Sequence, residues 1–237
     1  MFDIIAFDAD DTLWQNESLY SATQARLAQL LAPYLDDIDV DARLYETEKR
    51  NIPYFGYGIK SFTLSMIETA IALTEGRVTN ADIQQIITFA KEMIDTPTQL
   101  LDGVASVVAQ VAATHTLMLI TKGDLLDQQR KLDRSGLADD FAHIEVVAEK
   151  TEKTYRTILA HYKVDAARFL MVGNSLKSDV LPVVAIGGQA VHIPHTLTWE
   201  HERVDPAAAQ HARYFKLAHI SELPSLVEEL QHQNERS

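Results

Sequence analysis

The chain has 237 residues, 46% of them apolar, which is enough for a sizeable core and argues against gross disorder. Acids outnumber bases 34 to 21, a formal charge of −13, and no basic block occurs, so nucleic acid is excluded as the expected partner. Without cysteine there is no disulfide frame, thiolate metal site or Cys nucleophile, and no apolar run approaches the roughly 20 residues that span a bilayer.

Residues 3–7 form the first apolar run, read as a buried strand that starts too early to leave room for a signal peptide; the chain is expected to be cytoplasmic. That strand empties into Asp8, Asp10 and Asp11, three acids within four positions, followed by Thr12 and Trp14. Clustered carboxylates repel one another and resist desolvation, so the cluster points to a bound cation or to chemistry. The competing explanation is a helix cap, for which one acid would suffice.

From residue 16 to 98 no strand pattern appears. Helices are expected over 17–32, 40–49, 61–74 and 81–94, the last two with apolar residues at three- and four-residue spacing and the last capped by Asn80 or Asp82. The Thr96-Pro97-Thr98 step marks the way back. Beyond it, strands are expected over 117–120, 143–147, 168–172 and 190–193, with a weaker one near 213–217. They alternate with helices over 104–113, 125–135 (closed by Gly136) and 153–161. This alternation predicts an α/β core of residues 1–15 and 99–237, with a Rossmann-like parallel sheet. The helical segment 16–98 is inserted after the first strand, and residues 231–237 form a polar tail expected to fray.

In a parallel sheet the strand C-termini share one edge. Thr121-Lys122-Gly123-Asp124, then Lys150 and Lys153, then Gly173-Asn174-Ser175 and Asp179 follow three later strands, and so converge on Asp8 and Asp10. A carboxylate nucleophile, a second acid, a hydroxyl, an ammonium and further oxygen ligands suit phosphoryl transfer, which asks for positioning and charge neutralisation.

These four segments, in this order, resemble the four motifs of the haloacid dehalogenase superfamily, in its phosphatase-type branch with a helical cap. The resemblance implies that Asp8 is the nucleophile and that Asp10 is the acid/base. Thr121 and the amide of Lys122 would bind phosphate, and Lys153, preferred over Lys150, would hold the phosphoryl group. Thr12 and Ser175 would orient the site. A Mg2+ ion would be held by Asp8, Asp10 (through its carbonyl), Asn174 and Asp179. Asn174 stands where an aspartate is usual, and Asp11 fills a variable position with a solvated or local hydrogen-bonding role. The implied reaction is hydrolysis of a small phosphate ester through an aspartyl phosphate. A phosphomutase of the same superfamily or a non-catalytic ligand-binding descendant are the alternatives.

In the insert, Asn51, Tyr54, Tyr57 and Lys60, with Trp14 near the junction, are candidate specificity residues, set against plain packing. His192, His195 and His201 with Glu200 lack metal-site spacing and are read as structural. Aromatic and Met residues in 62–67 sit at core spacing. A small-molecule phosphate ester is the expected partner, with neither nucleic acid nor membrane.

Overall fold

A computed structural model describes residues 2–36, 39–196, 202 and 212–234, the side chains of 233 and 234 excepted. Among the described residues the sheet has six strands, β1 (Ile4–Phe7), β2 (Thr116–Lys122), β3 (His143–Val147), β4 (Phe169–Gly173), β5 (Gln189–His192) and β6 (Phe215–Lys216). Their order is β3-β2-β1-β4-β5-β6. β1 lies between β2 and β4 and runs parallel to both, and β4–β5 and β5–β6 are parallel pairs as well. All four residues of β1 are buried. A central strand covered on both faces has to be apolar throughout, which is why Ile4–Phe7 does not alternate.

Alternate residues of these strands feed two apolar layers. Ile5, Phe7, Leu117, Leu119, Leu170 and Val172 face α5 (Val104–Ala112) and the C-terminal helix α9 (Leu223–Asn234). Ile4, Ala6, Met118, Ile120, Phe169 and Met171 meet α7 (Glu152–Tyr162) and the short α8 (Leu181–Ala185). The expected frayed tail is corrected in part. Residues 231–234 are helical, because Leu223, Val227 and Leu230 recur along α9 and bury against the first layer.

The chain divides into two compact units, residues 1–17, 98–121 and 132–237 in one, and 18–97 with 122–131 in the other. The second unit holds α1 (Glu17–Leu31) beyond its first residue, α2 (Val40–Phe55), α3 (Ile59–Leu73), α4 (Asn80–Asp95) and the first turns of α6 (Leu125–Ser135). Its core gathers Leu27, Leu31, Leu44, Phe62, Met66, Ile86 and Met93, so the aromatic and Met residues of 62–67 do pack as expected. α2 runs two turns past its expected end, through Pro53, to a C-cap at Gly56. A proline in the last turn forfeits a single backbone hydrogen bond, and the left-handed φ of 70° at Gly56 stops the helix there. α4 is capped by Thr79 rather than Asn80, with Asp82 returning the bond in a capping box.

Candidate active site

β1 delivers Asp8 to the sheet edge, and its main-chain N–H donates to the Val172 carbonyl of β4 at 2.9 Å. Past Asp8 the chain folds on itself. The N–H of Leu13 donates to the Ala9 carbonyl at 2.8 Å and that of Asp11 to the Trp14 carbonyl at 2.8 Å. Asp11 makes the reversal in the left-handed region, φ 59°, which aspartate tolerates better than most residues. Its carboxylate accepts from the N–H groups of Asn16 and Glu17, 2.9–3.2 Å away, at the entrance to α1. The local hydrogen-bonding role expected of Asp11 is therefore a concrete one, and both backbone donors lie beyond the loop it turns.

This loop holds each of the two remaining acids with a donor four residues on. The Thr12 hydroxyl donates to Asp8 Oδ2 at 3.0 Å, and the Trp14 indole N–H donates to Asp10 Oδ1 at 2.7 Å. Trp14 is wholly buried in the core layer beneath. A surface for substrate is thus the wrong description of Trp14: its ring packs and only its N–H acts.

Lys150, not the expected Lys153, stands against Asp8. Lys150 Nζ is buried, in contact with Asp8 Oδ1, and 2.7 Å from Asp179 Oδ1. Lys153 is exposed in the first turn of α7. The reason is local. Thr151 caps α7, accepting from the Thr154 N–H, so Lys150 belongs to the loop above β3 whereas Lys153 is already wound into the helix.

Burial pushes the Asp8 carboxyl up to about 7, opposed by the Lys150 ammonium and reinforced by the neighbouring Asp179 charge. Burial alone would lower the Lys150 ammonium, but Asp179 and Asp8 together drive it well above the ordinary lysine value. Two buried carboxylates share one lysine.

After β4, Gly173 is obligatory, because a Cβ there would stand 2.2 Å from Asp179 Oδ2. Asp179 Oδ2 accepts from the Ser175 N–H at 2.9 Å. With Oδ1 on Lys150, both oxygens of Asp179 already have donors, so in this structure it anchors the lysine. Asn174 N–H donates to the Thr12 oxygen at 3.1 Å, and Asn174 Oδ1 lies 3.3 Å from the same hydroxyl, whose one proton is better placed on Asp8. His192 Nε2 faces the Asn174 carbonyl at 3.0 Å and so carries the proton, while Nδ1 is buried with no hydrogen-bond partner among the described residues. Burial holds His192 below the ordinary histidine value, consistent with the neutral ring. His195 Nδ1 lies 3.8 Å from Asp11. His201 and Glu200 lie outside the described residues.

Ser175 and Ser178 both donate to the Glu202 carboxylate, Ser178 at 2.6 Å. Ser175 Oγ also accepts from the Ser178 N–H at 3.0 Å, so the hydroxyl steadies the turn after β4. Nothing in the sequence marks Glu202, which stands far along the chain in a segment without periodicity. Thr121 is buried at the end of β2, two positions beyond the Leu119 that pairs with Phe7.

The second unit disposes of its own candidates. Asn51 is buried and donates to Ser65 Oγ at 3.1 Å and Glu68 Oε2 at 2.9 Å, so it ties α2 to α3 and is not offered to substrate. Lys60 pairs with Asp124 at 2.9 Å, and Lys122 Nζ sits 4.7 Å from the centre of the Tyr57 ring. Tyr54 is 81% exposed.

A hard divalent cation fits the first unit's donor set, all of it oxygen: the Asp8 carboxylate, the Asp10 carbonyl and the Asn174 amide oxygen. Added positive charge would also offset the burial that pushes Asp8 up. Among the described residues no three His, Cys, Asp or Glu side chains converge as a metal cage. Backbone, amide and water would complete the shell.

A family model for haloacid dehalogenase-like hydrolases matches residues 2–187. Among solved structures, a haloacid dehalogenase-like family hydrolase from Xanthomonas campestris matches at TM-score 0.88 and 41% identity, over 99% of this chain and 94% of that one. A 2-haloacid dehalogenase from Pseudomonas syringae pv. tomato DC3000 matches at TM-score 0.65 and 22% identity, over 97% and 100% of the two chains. L-2-haloacid dehalogenase from Xanthobacter autotrophicus, with chloropropionic acid covalently bound, matches at TM-score 0.63 and 16% identity, over 96% and 99%. At the last two identities the likeness is one of fold. No curated protein matches the sequence.

Proposed function

The chain belongs to the haloacid dehalogenase-like hydrolases, and from that premise we propose that it is a magnesium-dependent phosphatase acting on a small phosphate ester. The observation that carries this reading is Asp10, a second carboxyl two residues beyond the nucleophile and held in place by an indole N–H. Cleaving a carbon–halogen bond releases halide, which needs no proton. An alkoxide leaving from phosphorus does need one, and Asp10 is the group to supply it.

In the proposed reaction Asp8 attacks phosphorus, forming an Asp8 oxygen–phosphorus bond as the ester oxygen–phosphorus bond breaks. The leaving oxygen takes the proton of Asp10. Water then attacks the aspartyl phosphate and gives its proton to Asp10, which frees inorganic phosphate and restores both carboxyls. Lys150 favours the ionised form of Asp8 against its burial and balances charge at the transferring group. Thr12 fixes the Asp8 rotamer through its hydroxyl, and Thr121 offers a hydroxyl to the phosphate oxygens. Magnesium, when held by Asp8, the Asp10 carbonyl and Asn174, would supply Lewis-acid neutralisation of phosphate charge.

The test is hydrolysis of p-nitrophenyl phosphate and a panel of phosphorylated metabolites, with magnesium and with chelator, by wild type and Asp8→Asn. Magnesium-dependent turnover by wild type alone is expected. Chloride release from 2-chloropropionate without any phosphate turnover would refute the phosphatase reading, and retained activity in Asp8→Asn would refute the assigned nucleophile.

A further inference from the structure

The tryptophan beside the acids is more than filling. We propose that Trp14 is a positioning residue for Asp10: its indole N–H sets the orientation of the carboxyl that protonates the leaving oxygen. The inference rests on the phosphatase reading above and adds a residue to its machinery.

Three observations carry it. First, the bond is short, 2.7 Å from Nε1 to Asp10 Oδ1. Second, its donor is immobile. Trp14 is wholly buried, and its backbone is fixed on two sides, by the Asp11 N–H on its carbonyl and by a bridge to Leu100. A donor fixed in the core confers its own rigidity on a carboxyl that is itself only partly buried. Third, the loop treats both acids alike. Thr12 holds Asp8 and Trp14 holds Asp10, each from four residues on, so one reversal at Asp11 sets the relative orientation of nucleophile and acid.

A plainer account also explains the bond: a buried indole N–H needs an acceptor, and Asp10 is at hand. The two accounts differ in what happens when the N–H is removed. If Asp10 merely satisfies the indole, Trp14→Phe acts through packing, and every substrate suffers alike. If the indole aims Asp10, the loss depends on how much the leaving group needs a proton.

Benzyl phosphate and p-nitrophenyl phosphate make the comparison, since each carries one ring. Benzyl alkoxide must be protonated to leave, whereas p-nitrophenolate departs without help. For Trp14→Phe we expect kcat/KM, which reports the steps up to loss of the leaving group and not the later hydrolysis of the aspartyl phosphate, to fall about tenfold or more on benzyl phosphate, a part of the 10²–10⁴ that general acid catalysis contributes. On p-nitrophenyl phosphate the fall in kcat/KM should stay within about threefold. In an Asp10→Asn background, Trp14→Phe should add no further loss on benzyl phosphate, because its effect passes through the group already removed.

Equal losses on the two esters, or full additivity with Asp10→Asn, would overturn the inference while leaving the phosphatase reading standing. A wild type inactive on both esters and on the panel of phosphorylated metabolites would overturn the phosphatase reading, and this inference with it. Should Trp14→Phe fail to fold, the bond can be read with Trp14 in place. The chain has two tryptophans, Trp14 and Trp199, so two indole N–H resonances are expected, assigned through Trp199→Phe. Asp10→Ala should move the Trp14 resonance upfield and speed its exchange with solvent. A resonance unmoved by Asp10→Ala would overturn the inference.

Discussion

Replacing Lys150 by Met keeps the length and apolar stem of the side chain and deletes its charge. Nζ is the shared partner of Asp8 and Asp179, both buried, so its loss strands two carboxylates in a low-dielectric site. Breaking a buried pair by removing one partner costs about 3–5 kcal/mol. The same charge is the largest influence holding Asp8 down against burial, which already pushes it up to about 7. Without it Asp8 rises further and is protonated, hence inert as a nucleophile, at neutral pH. Losing one preorganised positive partner at the reacting centre costs about 10²–10³ in turnover, and kcat/KM should fall by about that much.

The sign of the pH effect on stability follows from linkage. An Asp8 whose folded pKa lies above its unfolded value of 3.8 binds more protons folded than unfolded, so Lys150→Met should lose stability as pH rises from about 4. Its deficit against wild type is therefore larger at pH 8 than at pH 5.5, where protonation relieves the stranded charge. Urea unfolding at the two pH values and turnover of p-nitrophenyl phosphate measure both effects. Lys153→Met is the control. That side chain is exposed on α7, and its loss should change stability by less than about 0.5 kcal/mol. An active Lys150→Met beside a dead Lys153→Met would refute the assignment, as would a deficit larger at pH 5.5 than at pH 8.

Two further substitutions probe the scaffold. Gly173→Ala puts a Cβ 2.2 Å from the Asp179 carboxylate, which is buried and tied to Lys150. Overpacking and the disturbed ion pair should together cost at least about 3 kcal/mol in denaturant unfolding and abolish turnover. In the helical unit, burial alone pushes Glu48 from 4.5 up to about 7, so wild-type stability should fall as pH rises between those values. Glu48→Gln should remove the share of that slope due to Glu48, gain up to about 3 kcal/mol at pH 8, and match wild type below pH 4.5; parallel curves would refute the buried-carboxyl account.

The sheet was legible because a parallel strand buried on both faces leaves an unmistakable apolar run, and each run here stops at polar residues that must share one edge. Asp8, Thr121, Asn174 and Asp179 are therefore found from the chain alone as neighbours of strand ends. What the chain does not display is where a loop ends and a helix begins. Lys150 and Lys153 are three residues apart, and the choice between them turns on the cap at Thr151. A Ser, Thr or Asp before a periodic run marks such a cap, and weighing Thr151 as one favours the lysine before it. Asn51 illustrates the same limit from the other side. It lies on the face of α2 that buries Leu44, Thr47 and Glu48, and a polar residue on a buried face is a bridge between helices more often than a reader of ligands.

Trp14 and Glu202 were hidden for different reasons. A tryptophan in an apolar pattern is counted as core, and it is core here; its chemistry resides in one N–H whose direction depends on the reversal at Asp11. Glu202 meets Ser175 and Ser178 across a sequence separation that no local pattern spans. Both belong to the support of the site: Trp14 and Thr12 aim the two acids, Glu202 and Ser175 brace the turn after β4, and Gly173 leaves room for Asp179 to hold Lys150. The reacting groups are chosen by charge, which a sequence displays, whereas their supports are chosen by direction, which only a fold defines. A substitution among the supports should therefore alter how well an acid is aimed while leaving its identity intact. Discrimination between leaving groups is accordingly a sharper probe of this site than total loss of activity.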